Sequence, residues 1–245
     1  MSLHNDNALV VALDTSTDML ACAASWIDGQ TGETKLASGD HMCRRHANVE
    51  LVNTVDGVLA QAGLDRSDVG CYVVGRGPGS FTGVRIGVST VKGLSHGCGV
   101  PCVAVDALEA MAAGIPYFNG VLCPIQDARA GQVYGAAFLP GDPPHRLLPD
   151  APLKLEAFVE HIAPLGERFC FVGDGMPVHR ERLQALLGER AVFAPANACY
   201  LRPASVAMLA ARPEAQELDY LSLMPLYLRP PQAERNRALQ EAMQH

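Results

Sequence analysis

The stretch Gly75–Gly87 reads GRGPGSFTGVRIG, five glycines and one proline in thirteen residues. Glycine-rich turns of this kind hold phosphates in many enzymes. A Walker A loop needs GxxxxGK[ST], yet the sixth position from Gly77 is Thr82 and no Lys-Ser/Thr pair follows. A dinucleotide fingerprint needs GxGxxG, and Ser80 or Thr82 falls where the last glycine belongs. Backbone amides at a helix start still suit an anion. Geometry offers a second reading. Gly77 and Gly79 permit a turn, and Ser80 or Thr82 caps the helix that follows. Gly83, Gly87 and Gly93 then fall on that helix, where each costs about 1 kcal/mol relative to alanine. That cost asks for a packing reason, and small residues let another helix come close.

Outward from this stretch the chain alternates strands and helices. The apolar run Cys71–Val74 predicts a buried strand ending where the glycines begin, and Thr82–His96 a helix closed by Gly97 and Gly99. Upstream, Ala8–Leu13, Met19–Ile27 and Thr34–Ser38 read as three strands, the first two joined by the turn formers DTSTD. Val49, Val52, Val55, Val58 and Leu59 recur at helical spacing within Ala47–Ala62, with Gly63 as C-cap. Downstream, Val121–Ile125 and Gln132–Leu139 read as strands around the turn ARAG. Pro140–Pro152 reads as a loop with room for a short strand, Leu155–Ala163 as helix, Phe169–Val172 as strand, Arg180–Leu187 as helix and Pro203–Ala211 as a later helix.

This order repeats. ALDTSTDMLACAASW shares its plan with PIQDARAGQVYGAAF, and CYVVGRG with FCFVGDG. Two related α/β lobes with a cleft between them are expected. The first covers residues 1–105 plus a return helix at about 203–228. The second covers 106–202, and a polar tail covers 229–245. Asp14 and Thr15 end the first strand, and Asp127 is expected at the equivalent place in the second lobe. Two aspartates facing a cleft suit phosphotransfer, and each suits an Asx turn equally well. With Gly77, Gly79, Gly173 and Gly175 they form the candidate phosphate cleft.

Composition narrows the class. The chain has 245 residues, 49% of them apolar, enough to bury a core without covalent staples. Its eight cysteines form no CxxC pair and sit mostly in apolar runs, as thiols do in a reducing compartment. No apolar run has the length of a membrane helix, and MSLHNDN lacks a signal pattern, so a cytoplasmic protein without a membrane partner is expected. The formal net charge of −7 makes a poor lone binder of nucleic acid. Arg229, Arg235 and Arg237 make the C-terminus locally basic. In HMCRRHA, His41 and His46 are five apart, not the i, i+4 spacing of a helical ligand pair, so no metal site is assigned and His46 is placed at a helix start. No GxSxG, HExxH or Cys-His motif marks a nucleophile, and no catalytic residue is assigned.

GRGPGSFTGVRIG closely resembles the signature of the TsaB family, also called YeaZ. LDTST, RRHANVELVNTVDGVL, DARAGQVYGAAF and PLYLRPP extend the resemblance through nearly the whole chain. It implies the duplicated fold of the actin-like ATPase and sugar-kinase superfamily (ASKHA), with the candidate phosphate cleft vestigial. It implies a role in forming N6-threonylcarbamoyladenosine beside the anticodon of tRNA. There a TsaC-type enzyme makes threonylcarbamoyl-AMP from threonine, bicarbonate and ATP, and the paralogue TsaD transfers the threonylcarbamoyl group. TsaB is the non-catalytic partner TsaD requires, and a TsaE-type ATPase joins them. ATP and the TsaD-held metal belong to the complex, tRNA is met through it, and no cofactor is assigned to this chain. Family members also carry a peptidase-like label, so a glycoprotease-like or nucleotide-binding enzyme is the alternative. The resemblance further implies dimerisation through the first two long helices, with the partner or with a second copy. His46, Val49, Val52, Gly83, Arg85, Gly87, Thr90 and Gly93 are the interface residues so implied.

Overall fold

The computed structural model describes residues 9–43 and 47–229. His46, Arg44, Arg45 and residues 230–245, with Arg235 and Arg237, lie outside the described residues.

Two five-stranded sheets carry the fold. The first contains β1 (Leu9–Asp14), β2 (Met19–Ile27), β3 (Thr34–Met42), β4 (Val69–Gly75) and β5 (Cys102–Val105). The second contains β6 (Val121–Asp127), β7 (Gln132–Leu139), β8 (His145–Lys154), β9 (Phe169–Val172) and β10 (Ala191–Phe193). Their strand orders are β3-β2-β1-β4-β5 and β8-β7-β6-β9-β10. In each, the first three strands pair antiparallel and the other two join in parallel. The helices repeat as well. α1 (Ala47–Gln61) and α2 (Phe81–Cys98) lie in the crossovers of the first sheet, α4 (Leu155–Ile162) and α5 (Gly175–Leu187) in those of the second. α3 (Ala107–Ala113) and α6 (Pro203–Ala210) each follow the last strand of a sheet. The fold has the two related α/β lobes that the order of elements predicts, in the duplicated actin-like plan that the family resemblance implies.

Three apolar clusters set the layers. Leu51, Val55, Val58 and Leu59 of α1 and Val84, Val88 and Val91 of α2 cover the outer face of the first sheet. Leu155, Phe158, Ile162, Leu183 and Leu187 of α4 and α5 cover the outer face of the second. The central cluster joins the lobes. Ala12, Ala23 and Val73 of the first sheet and Leu122, Phe138 and Val172 of the second enclose Leu108, Met111, Val206 and Ala210 of α3 and α6. Alternation along each strand sends successive side chains to these two faces.

Several expectations need correction. β3 runs on to Met42, and α2 continues through Gly97 to Cys98, with Gly99 as its left-handed C-cap at φ 68°. The return helix spans only Pro203–Ala210. The segment beyond it carries no further helix among the described residues, but bridges Cys102 through Leu218. The strand within Pro140–Pro152, expected to be short at most, is ten residues long and runs on to Lys154. β8 is a sheet edge, where prolines such as Pro149 and Pro152 forfeit no central ladder bond. Helix α5 begins at Gly175, not Arg180.

Candidate functional site

The signature stretch folds over the turn between β1 and β2, within its own lobe. Ser80 N–H donates to the Ser16 carbonyl at 2.7 Å, and Thr15 Oγ1 donates to the Gly83 carbonyl at 2.7 Å. Ser80 caps α2 by accepting from Gly83 N–H at 3.3 Å. The glycines make room for this contact. A methyl group on Gly79 would overlap the Ser16 carbonyl, and one on Gly83 the Thr15 carbonyl. On Gly87 it would lie 2.6 Å from Thr15 Oγ1. The buried Gly87 and half-buried Gly83 therefore accommodate Thr15, not a neighbouring subunit, which corrects their assignment to an interface. Gly93 differs, being exposed with nothing within 4 Å of its added methyl. The same bonds bear on the phosphate reading. The amides of Ser80 and Gly83, placed as an anion cradle would need them, are already bonded within the chain.

Asp14 lies beneath this cover. It is 1% exposed, and Oδ1 accepts from both the amide and the hydroxyl of Ser16 at 2.9 Å. Oδ2 faces the space above Gly75 that a Cβ would fill. Burial pushes the carboxyl up to about 7, against the lowering effect of the two Ser16 bonds. The second lobe meets this group through Gln126, not Asp127: Gln126 Nε2 donates to Ser16 Oγ at 3.2 Å. Asp127 projects from the other face of β6, with one oxygen 3.5 Å from His179 Nε2 of α5.

A cleft of about 520 Å³ opens between the lobes. Gly79 and Asp127 line it, whereas Asp14, Thr15, Gly77, Gly173 and Gly175 lie behind its wall. Gly77 (φ 104°) and Gly173 (φ 107°) hold turns that residues with side chains rarely adopt. Gly175 lets the start of α5 approach the backbone of Gln126 and Asp127. The cleft also presents Asp18, Gln126, Arg129, Asp174, Tyr227 and Arg229, which the sequence reading did not single out as site residues. Asp174, in the repeated stretch FCFVGDG, directly precedes α5. Burial pushes its carboxyl up to about 7; a hydrogen bond with the Asp127 backbone opposes the rise, and the negative charges of Asp127 and Asp18 add to it. Arg229 donates to the Ala128 carbonyl at 3.0 Å and ties the end of the described chain to the cleft rim.

The outer surface of the first lobe carries a different feature. Along α2, Phe81, Thr82, Arg85, Ser89 and Gly93 are exposed, with Ile86 and Thr90 half-buried beside them. Phe81 stacks on Tyr227 at 4.8 Å, and the Arg85 guanidinium lies 5.4 Å from the Phe81 ring centre. Of the neighbouring helix α1, Val49 is 63% exposed and Val52 half-buried. Phe81, Thr82, Arg85, Ile86, Ser89 and Thr90 frame a shallow, largely apolar depression of about 390 Å³. Among the described residues, no helix is long and apolar enough to cross a membrane.

Two sheets of one strand order, facing each other across a cleft, define a member of the actin-like class. Residues 41–237 match the family model described as "TsaD: tRNA N6-adenosine threonylcarbamoyltransferase". The tRNA threonylcarbamoyladenosine biosynthesis protein TsaB of Bacillus subtilis is 30% identical over 226 residues, covering 92% of this chain and 96% of that one. Its namesake in Escherichia coli is 35% identical over 172 residues, 68% of this chain and 71% of that one. A Pseudomonas aeruginosa crystal structure, described as similar to peptidase YeaZ, superposes with a TM-score of 0.71 at 28% identity. It covers 91% of this chain and 100% of its own. The chain belongs to the TsaB (YeaZ) family.

Proposed function

We propose that this chain is a non-catalytic subunit in the formation of N6-threonylcarbamoyladenosine in tRNA, binding and supporting a TsaD-type transferase paralogue. The observation that carries the reading is the outward face of α2. Phe81, Ile86, Thr90 and Gly93 offer apolar and small groups along one helix, Val49 and Val52 extend the patch onto α1, and Arg85 supplies a charge at its rim. Two helices of a partner packing here would form a four-helix contact, with Gly93 permitting close approach. The sealed state of Asp14 and the internal bonding of the Ser80 and Gly83 amides support a subunit whose phosphate-binding parts have become structural. ATP and the metal of the transferase then reside with the partner, a TsaE-type ATPase joins the assembly, and tRNA is met through it. A homodimer formed without the partner uses the same face.

Co-purification with a TsaD-type partner tests this reading, with Ile86→Arg as the variant. The wild type is expected to bind, and Ile86→Arg to lose the partner while keeping its circular dichroism. Loss of the gene is expected to deplete the modified adenosine in tRNA. Undiminished binding by Ile86→Arg, or unchanged tRNA modification without the gene, overturns the proposal.

A further inference from the structure

The segment HMCRRHA failed as a helical histidine pair, but the fold brings a different set of its residues together. His41 lies near the end of β3, an edge strand, and Cys43 follows that strand directly. Two apart in extended chain, they project to one side. Glu50, in the first turn of α1, comes back onto them. His41 Nε2 lies 2.7 Å from Glu50 Oε2, and Cys43 Sγ donates to the same oxygen at 3.4 Å. One imidazole nitrogen, one sulfur and one carboxylate oxygen thus converge within 4.8 Å of one another. The His41 and Glu50 side chains are each 43% exposed, so the cluster is open to solvent.

We infer that His41, Cys43 and Glu50 form a binding site for a borderline divalent transition metal, zinc foremost. Imidazole, thiolate and carboxylate are each ligands that zinc accepts. The thiolate disfavours magnesium and calcium, which take oxygen ligands. Tetrahedral bonds of about 2.0–2.3 Å set ligand atoms about 3.3–3.5 Å apart. Small rotations of three surface side chains span that difference. A simple His41–Glu50 ion pair does not account for the thiol aimed at the same oxygen. On binding, the Cys43 S–H bond breaks, a sulfur–metal bond forms and the proton passes to solvent. His41 donates a neutral nitrogen lone pair, Glu50 its carboxylate, and the metal keeps its charge. Three protein ligands leave a fourth position for water or an incoming group. The ion ties the end of β3 to the start of α1, and its affinity falls as the pH drops and the ligands protonate.

The test uses the full chain, freed of metal by chelator and titrated with Co²⁺ as a coloured substitute for Zn²⁺. One equivalent is expected to bind with a cobalt–thiolate charge-transfer band that added Zn²⁺ abolishes. Cys43→Ser is expected to remove the band, and Cys98→Ser, which changes the exposed cysteine of α2, to retain it. His41→Ala and Glu50→Gln are each expected to weaken Zn²⁺ binding at least about ten-fold, the lower bound for losing even an outer-shell partner. Zn²⁺ is also expected to slow alkylation of Cys43 in the unaltered chain, a readout independent of any variant's folding. Absence of the band, its survival in Cys43→Ser, its loss in Cys98→Ser, unchanged affinity in His41→Ala and Glu50→Gln, or unchanged alkylation overturns the inference.

Discussion

Gly83 and Gly93 share one helix and should respond oppositely to alanine. At Gly83 the new methyl meets the Thr15 carbonyl, a backbone atom that yields only if the β1–β2 turn moves. Gly83→Ala is expected to cost about 1–3 kcal/mol in urea denaturation, as overpacking does. At Gly93 nothing stands within 4 Å, so alanine is expected to add up to about 1 kcal/mol through helix propensity. The GxG and FTG elements were legible as a turn and a helix start, but what the glycines pack against was not. That neighbour, Thr15, is 68 residues distant from Gly83 in sequence. Asp14 gives a second prediction at this scale. Its carboxyl is raised to about 7 from an ordinary 3.8, so the folded chain holds a proton that the unfolded chain releases between those values. Stability from this group is therefore full below pH 4 and is lost as the pH rises through 7. Asp14→Asn is expected to raise Tm at pH 8 by about 2–8 °C, for a gain on the order of 1–2 kcal/mol, with the difference shrinking toward pH 4. Thermal unfolding across that range checks it.

Among the elements, α2 divides into a face that holds the lobe together and a face that meets solvent. Val84, Gly87, Val88 and Val91 turn inward, while Phe81, Arg85, Ser89 and Gly93 turn out. An arginine on each face separates folding from association. Gly87→Arg is expected to unfold the first lobe, because Thr15 and Val74 fill the space beside it. Thr90→Arg is expected to leave the melting curve within about 0.5 kcal/mol of the parent, as surface changes usually do, and to abolish binding to the TsaD-type partner. Gel filtration of each variant with the partner distinguishes the two. Elements with a clear period were legible in sequence. The valine repeat located α1, and continuous apolar runs located β1, β4 and β9. α3 was missed because ALEAMAA is buried almost all round and so shows no amphipathic period. β10 is three residues long, too short for a pattern, and the prolines of β8 disguised the length of an edge strand.

For the whole molecule, the lobes are joined by charge as well as by the central apolar cluster. Arg146 of β8 lies 3.3 Å from both Asp106 and Glu109 and also pairs with Asp150. Arg76 at the end of β4 reaches Asp106 at 2.9 Å, and Arg212 beyond α6 reaches Glu109 at 3.1 Å. Arg146→Met removes the hub of this network and takes its cationic partner from the buried Asp150, while Arg76 and Arg212 still hold Asp106 and Glu109. It is expected to cost about 3 kcal/mol, and hydrogen exchange should quicken at β8 and the start of α3 before it does in β1. Duplication was legible in the order of elements, but this network was not, since its members are scattered through the chain from Arg76 to Arg212 and most meet only once the chain has folded. The position of α6 carries a consequence for how the protein is made. The helix closes the inner face of the first sheet against β1 and β2, yet it is encoded after the whole second lobe. A nascent chain on the ribosome therefore displays the bare inner surface of its earliest strands, Ala12 and Ala23 among them, until Pro203–Ala210 has left the exit tunnel. Through most of its own synthesis the first lobe is an unfinished body, and a chaperone that shields apolar strands has its binding window there.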